Sequence, residues 1–192
     1  MSRPRLLRAL REQRGYSLIE MLIVLSITSV VMGALTVLFI QASNAELDTN
    51  NRFQAQQTAR LALDKMRREV HCASMATPAG QSSSVTLTLP NYCKTGNGSI
   101  TWCTRNVSTN RYALYRVVGS TCSGGVKWAD YLVPTSSAPD CSGALCIFTY
   151  TAQSTASLAK LHVDFPVNVK PSKSVELYEL ADDIVLRNSS RA

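Results

Sequence analysis

The chain is poor in the residues from which active sites are built. Of its 192 residues only His71 and His162 are histidine, and neither stands at a spacing that metal ligation or acid–base catalysis uses. No C-x-x-C pair occurs among six scattered cysteines, which argues against a zinc cluster joining them to either histidine. Walker, dinucleotide-binding and nucleophile-elbow glycine patterns are all missing, so the phosphate and acyl-transfer chemistry they support is not expected. Proline and glycine are missing between residues 41 and 71, and basic side chains between Tyr16 and Ala45. The first absence leaves a long helix unbroken. The second leaves any acid in that stretch without a partner from its own neighbourhood.

Such an acid exists. The run from Arg14 to Ile40, RGYSLIEMLIVLSITSVVMGALTVLFI, is apolar except for Glu20 near its start. About 20 apolar residues at 1.5 Å rise cross the hydrocarbon of a bilayer, so the run is a candidate membrane helix. An ionised carboxylate in hydrocarbon costs several kcal/mol unless it is paired or neutralised, which makes Glu20 a candidate functional residue. Removal of the segment before Tyr16 supplies a partner: a new α-amine four residues from Glu20, on the same chain or better placed on a neighbouring copy. A plain signal anchor leaves Glu20 unexplained, and a cleaved secretory signal has a shorter apolar region followed by a small-residue cleavage site.

Five arginines precede the run, Arg3, Arg5, Arg8, Arg11 and Arg14, against one acid, Glu12. They account for four units of the net charge of +7, so the chain from Tyr16 onward carries only +3, too little to argue for nucleic acid from the field alone. Arginines in that position hold the amino terminus in the cytoplasm and send the chain beyond the span outward. Cys72, Cys93, Cys103, Cys122, Cys141 and Cys146 all lie beyond the run, as expected for up to three disulfides in an oxidising compartment. Fifteen pairings are open. Cys141 with Cys146 and Cys93 with Cys103 are close enough in sequence to staple short loops, but that proximity does not choose among the fifteen. An oxidised Cys72 also leaves no Cys–His dyad with His71.

Gly15, Tyr16, Ser17, Leu18, Ile19 and Glu20, followed by Met21, Leu22, Ile23, Val24 and Leu25, resemble the processing and methylation signal of type IV prepilins and pseudopilins. The resemblance implies cleavage after Gly15 by a prepilin peptidase, methylation of the amino terminus at Tyr16, and a role for Glu20 in guiding the subunit into a helical filament. The family usually has phenylalanine where Tyr16 stands. It often has a proline within this helix; none occurs here, and no kink is predicted. The segment Ala59 to Glu69 and the ending Tyr178, Leu180, Asp182, Ile184, Leu186, Arg187, Asn188 are similar, more loosely, to minor pilins and the larger minor pseudopilins.

The chain divides into four segments: residues 1–15, a leader that is removed; 16–42, the membrane half of a long helix; 43–76, its amphipathic half; and 77–192, an extracytoplasmic head. Ala55, Ala59, Ala62, Met66 and Val70 recur at intervals of three and four, with Leu63 beside them, and form the stripe expected to pack on the head. Asn44 to Phe53 is the weakest part of the helix, and Pro78 and Gly80 place its end near Cys72 to Thr77. Alternation predicts strands at Val85–Leu89, Arg111–Val118, Val126–Trp128, Ala144–Thr149, Leu161–Val167 and Val175–Leu180, the last continuing through Ile184–Leu186. Residues 90–110 read as irregular or short-stranded. The predicted class is α+β and type IV pilin-like, a long helix packed on an antiparallel β-rich head.

The expected function is that of a minor pilin or pseudopilin of a type IV pilus-like or type II secretion filament. Its partners are the prepilin peptidase, other pilin subunits, the inner-membrane assembly platform and, before assembly, the lipid bilayer. No cofactor, metal or catalytic residue is expected. The alternatives are a major filament subunit and a DNA-binding pilin. The second requires Arg105, Arg111, Arg116 and Lys127 to gather on one face with Tyr115 or Trp128, whereas arginines scattered over strands usually form a surface laced with ion pairs. Glu179, Asp182 and Asp183 form a candidate divalent-ion patch whose ordinary reading is solvated surface.

Overall fold

A computed structural model describes residues 17–94, 96–170 and 177–189. Helix α1 runs from Leu18 to Cys72, and nine strands come after it: β1 (Met75–Thr77), β2 (Gly80–Ser82), β3 (Ser84–Leu89), β4 (Gly98–Ser108), β5 (Arg111–Val118), β6 (Val126–Leu132), β7 (Phe148–Thr151), β8 (Lys160–Val167) and β9 (Tyr178–Val185). The chain divides into two compact units, residues 1–48 and 49–192.

In the second unit the strands form one antiparallel sheet of order β1-β3-β4-β5-β6-β8-β7-β2, with β9 attached to β8 beside that path. Its terminal strands, β1 and β2, are consecutive in the chain and joined across Thr77 to Gly80, so the sheet is curled. Two short paired segments, β1 and β2, therefore stand where the sequence led us to expect a helix end and a turn. The helix stops at Cys72 and Met75 already pairs with Thr88, which moves the end of the amphipathic half back from residue 76.

The second unit's portion of α1 packs through Ala55, Ala59, Ala62, Leu63, Met66 and Val70, all buried. Three alanines in that stripe bring the helix close to the sheet. Met66 fills the space between and is fully buried, which contributes about 2 kcal/mol. From the sheet come Leu87, Ile100, Trp102, Leu114, Leu132, Leu161, Val163, Phe165 and Ile184. Asn44 to Phe53 is helical throughout.

Two strand assignments differ from expectation. Residues 90–110 contain β4, eleven residues long. Its alternation is hidden because both faces are covered: Ile100, Trp102 and Thr104 share the core face, while Thr101 and Cys103 on the other side are also buried. Thr101 Oγ1 meets Thr86 Oγ1 at 2.9 Å and donates to the Gly119 carbonyl, and Thr104 donates to the Leu145 carbonyl. The apolar run Ala144–Thr149 becomes strand only at Phe148. Leu145 and Ile147 are buried outside any strand, Leu145 in an isolated antiparallel bridge with Asp140 and the Cys146 amide on the Pro139 carbonyl; buried apolar residues in a loop look in sequence like a strand. β6 extends to Leu132. β9 starts at Tyr178, and the predicted start at Val175 falls outside the described residues. On β8, Asp164 is buried.

Candidate assembly helix and its anchorage in the head

In the first unit every described residue from Ser17 to Ala42 is exposed. Leu18, Ile19, Leu22, Leu25, Val30, Leu38 and Phe39 are among the large apolar side chains that present their surface outward. The hydroxyls that interrupt them turn inward: Ser26, Thr28, Ser29 and Thr36 donate to the carbonyls of Ile23, Val24, Ser26 and Met32 at 2.7–2.8 Å. Their polar groups are satisfied within the helix, as a segment in hydrocarbon requires. One helix among the described residues is long and apolar enough to cross a membrane. A Cβ at Gly33 would meet nothing within 4 Å, and the missing side chain lets another helix approach closely. Glu20 lies in the first turn, where unpaired amides and the helix dipole favour negative charge. Gly15 and Tyr16, the expected processing residues, lie outside the described residues.

In the second unit the helix is anchored by polar contacts as well as by its stripe. Glu69 is fully buried; its Oε2 accepts the indole N–H of Trp102 at 2.8 Å and its Oε1 that of Arg116 Nε at 2.9 Å, with Lys65 Nζ at 3.3 Å. A guanidinium and a second donor at good geometry satisfy both oxygens of this buried carboxylate. The Glu69 contacts escape a reading of the sequence because a lone glutamate beside arginines on a helix looks like solvent face. On β9, Tyr178 accepts from Arg60 at 3.1 Å, Asp182 pairs with Arg67 at 2.6 Å and the Val185 carbonyl meets His71 at 2.9 Å. The hydrogen bond to Asp182 holds the Arg67 guanidinium above its ordinary range, against the opposing effect of burial.

Residues 10–36 match the family of the prokaryotic N-terminal methylation motif. That match spans the expected cleavage site, Glu20 and most of the exposed apolar helix, and the head pairs a long amino-terminal helix with a curled antiparallel sheet. The chain is type IV pilin-like. Comparison with curated proteins and with solved structures found no match.

Three disulfides fasten this pilin-like head: Cys72–Cys93, Cys103–Cys122 and Cys141–Cys146. The expected closeness of Cys93 and Cys103 is not used. Cys93 instead ties the helix end to the loop after β3, and Cys103 reaches across the turn after β5. With Cys72 oxidised, His71 has no thiol beside it. Among the described residues no three His, Cys, Asp or Glu side chains gather to hold a metal. Asp182 and Asp183 point to different partners, Asp182 to Arg67 and Asp183 to Lys160 and His162.

The basic residues that a nucleic-acid face would need are engaged within the head. Arg116 turns to Glu69, Arg111 and Lys127 share Asp130 at 2.8–3.0 Å, and Arg105 lies over the Tyr115 ring and donates to the Gly124 carbonyl. Burial pushes the Asp130 carboxyl upward, but the donors Arg111, Lys127 and the Tyr131 amide outweigh it and hold it below the usual range. The set is a surface laced with ion pairs.

Proposed function

We propose that the chain is a minor pilin or pseudopilin, a subunit that a prepilin peptidase cuts after Gly15 and that primes, caps or decorates a type IV pilus-like or type II secretion filament. Before assembly the uncut amino terminus stays in the cytoplasm with the leader arginines, the helix spans the bilayer, and the head stands on the outer side. The observation that carries this reading is Glu20, placed inside the matched motif in the first turn of a helix whose described residues up to Ala42 are all exposed.

The assembly chemistry comes from that placement. In a bundle of such helices Glu20 meets the α-amine of a neighbour's Tyr16, in a setting where a close ion pair offsets much of the desolvation cost. Tyr16 is the methylated residue, and the inner-membrane assembly platform draws the subunit out of the bilayer. The minor role is supported by the two loosely similar stretches, Ala59–Glu69 and Tyr178–Asn188, which meet through Arg60 with Tyr178 and Arg67 with Asp182.

Two variants expressed in the native host test the proposal. Gly15→Leu is expected to retain its leader, read as the intact mass of the isolated protein; a mature terminus at Tyr16 in that variant sinks the cleavage assignment. Glu20→Ala is expected to be cut normally but to be depleted from sheared filaments. Wild-type incorporation of that variant would overturn the role of Glu20.

A further inference from the structure

The last strand of the head has an open side. β9 pairs with β8 along its eight residues without a register shift and, among the described residues, with no other strand. Leu186, just beyond it, donates its amide to the Ala159 carbonyl, so even-numbered residues turn their backbone groups to β8 and odd-numbered ones turn theirs outward. At one end of the outward row the Val185 carbonyl meets His71 Nδ1 at 2.9 Å. Glu179, Ala181 and Asp183 make up the rest; all are exposed, and among the described residues no backbone group takes up their outward side.

Such a row is a template for an added strand, and proteins ordinarily blunt it with a proline, a bulge, a very short edge or charge. β9 has no proline and no bulge and is not short, whereas the terminal strands β1 and β2 have three residues each. Its inner face is already fixed to the helix through Tyr178 with Arg60 and Asp182 with Arg67, so little ordering is left for a docking step to supply. Only charge guards the edge. We propose that β9 takes up, by strand addition, a segment of a different polypeptide that carries lysine or arginine at alternate positions.

The acids on the outer face select the occupant. Asp183 shares Lys160 and His162 of β8, while Glu179 has no ion pair among the described residues. Two copies of β9 joined about Ala181 would set Glu179 opposite Asp183 twice over, and like charges directly across a pair of strands are unfavourable. β1 and β2 carry no basic residue, so the other terminal strands of the sheet do not complement the row either. An alternately basic strand does, because its cations fall opposite Glu179 and Asp183 while its backbone meets the open amides and carbonyls. The docking needs only the head, neither cleavage after Gly15 nor Glu20, so its failure would leave the filament assignment standing.

Amide exchange of the full chain in detergent micelles, resolved by NMR, tests the edge with two probes: a short peptide alternating threonine with lysine, and its counterpart with glutamate. The amides of Glu179, Ala181 and Asp183 are expected to exchange freely in the chain alone and to become protected by the lysine peptide. That peptide should bind about tenfold more tightly than the glutamate one, from attraction gained and repulsion avoided at two exposed sites. Ala181→Pro removes an outward amide and spares the β8 ladder, and should abolish binding. Glu179→Lys, which leaves the backbone intact and decides the matter if the proline variant unfolds, should remove most of the preference for lysine. Equal binding of the two peptides, protection centred on another strand, slow exchange of the three amides before peptide is added, or dimers joined through β9 would each overturn the proposal.

Discussion

Glu69 on the helix and Trp102 on β4 are joined inside the core, the carboxylate oxygen accepting the indole N–H at 2.8 Å with neither side chain open to solvent. Because Arg116 occupies the other oxygen, the contact fixes both the rotation and the height of this part of the helix on the sheet: a shift of one residue would leave a buried charge and a buried donor unmet. Glu69→Ala is expected to destabilise the head by about 3 to 5 kcal/mol, the cost of stranding a partner of a buried pair. Glu69→Gln, which keeps an acceptor for Trp102, should cost less. Denaturant titration read by tryptophan emission checks both, and equal losses would show that the acceptor kept for Trp102 contributes nothing.

Gly125 and Gly124 offer a paired test of backbone geometry. Both have positive φ, 82° and 67°, but a Cβ on Gly125 would stand 2.5 Å from the Arg116 carbonyl oxygen, whereas one on Gly124 meets nothing within 4 Å. Gly124→Ala should therefore show only the strain of the left-handed conformation, about 1 kcal/mol. Gly125→Ala must also move β5 away from the turn and should lose distinctly more, seen as a lower thermal midpoint. The reverse order would refute the close approach.

Acid should loosen the network around Asp130. Its carboxyl sits below the usual range in the folded head because the donors Arg111, Lys127 and the Tyr131 amide outweigh burial. A depressed carboxyl contributes stability that is whole above the unfolded value, about 3.9, and that fades as pH falls through the folded one. Asp130→Asn is expected to cost about 1 kcal/mol at neutral pH and to flatten the fall in thermal midpoint between about pH 4 and about pH 2. An unchanged acid slope would count against it.

Removing the disulfides one pair at a time should rank them by the loop each closes. Cys72–Cys93 and Cys103–Cys122 span 21 and 19 residues, Cys141–Cys146 only 5. Chain entropy alone assigns about 3 kcal/mol to each of the first two and about 2 kcal/mol to the third. Paired serine substitutions followed by denaturant unfolding measure the order, and a largest loss at Cys141–Cys146 would show that loop length does not govern it.

What the amino-acid order determines by itself is local. A long apolar run with a single acid, arginines before it and cysteines only after it are read directly, and so are the stripe from Ala55 to Val70, the strand Arg111–Val118 and a helix end near Cys72, because each depends on neighbours within a turn or two of the chain. Tertiary structure alone decided which cysteines pair, that β4 is a strand with both faces covered, that Leu145 and Ile147 are buried without being strand, and that Arg111 and Arg116 are spent on ion pairs. It also turned Glu69 from an apparent surface charge into a core group. Those outcomes rest on contacts such as Glu69 with Trp102, 33 residues apart, and Arg67 with Asp182, 115 apart. No local periodicity records them, since the partner that covers a face or neutralises a charge arrives only when the sheet curls around the helix.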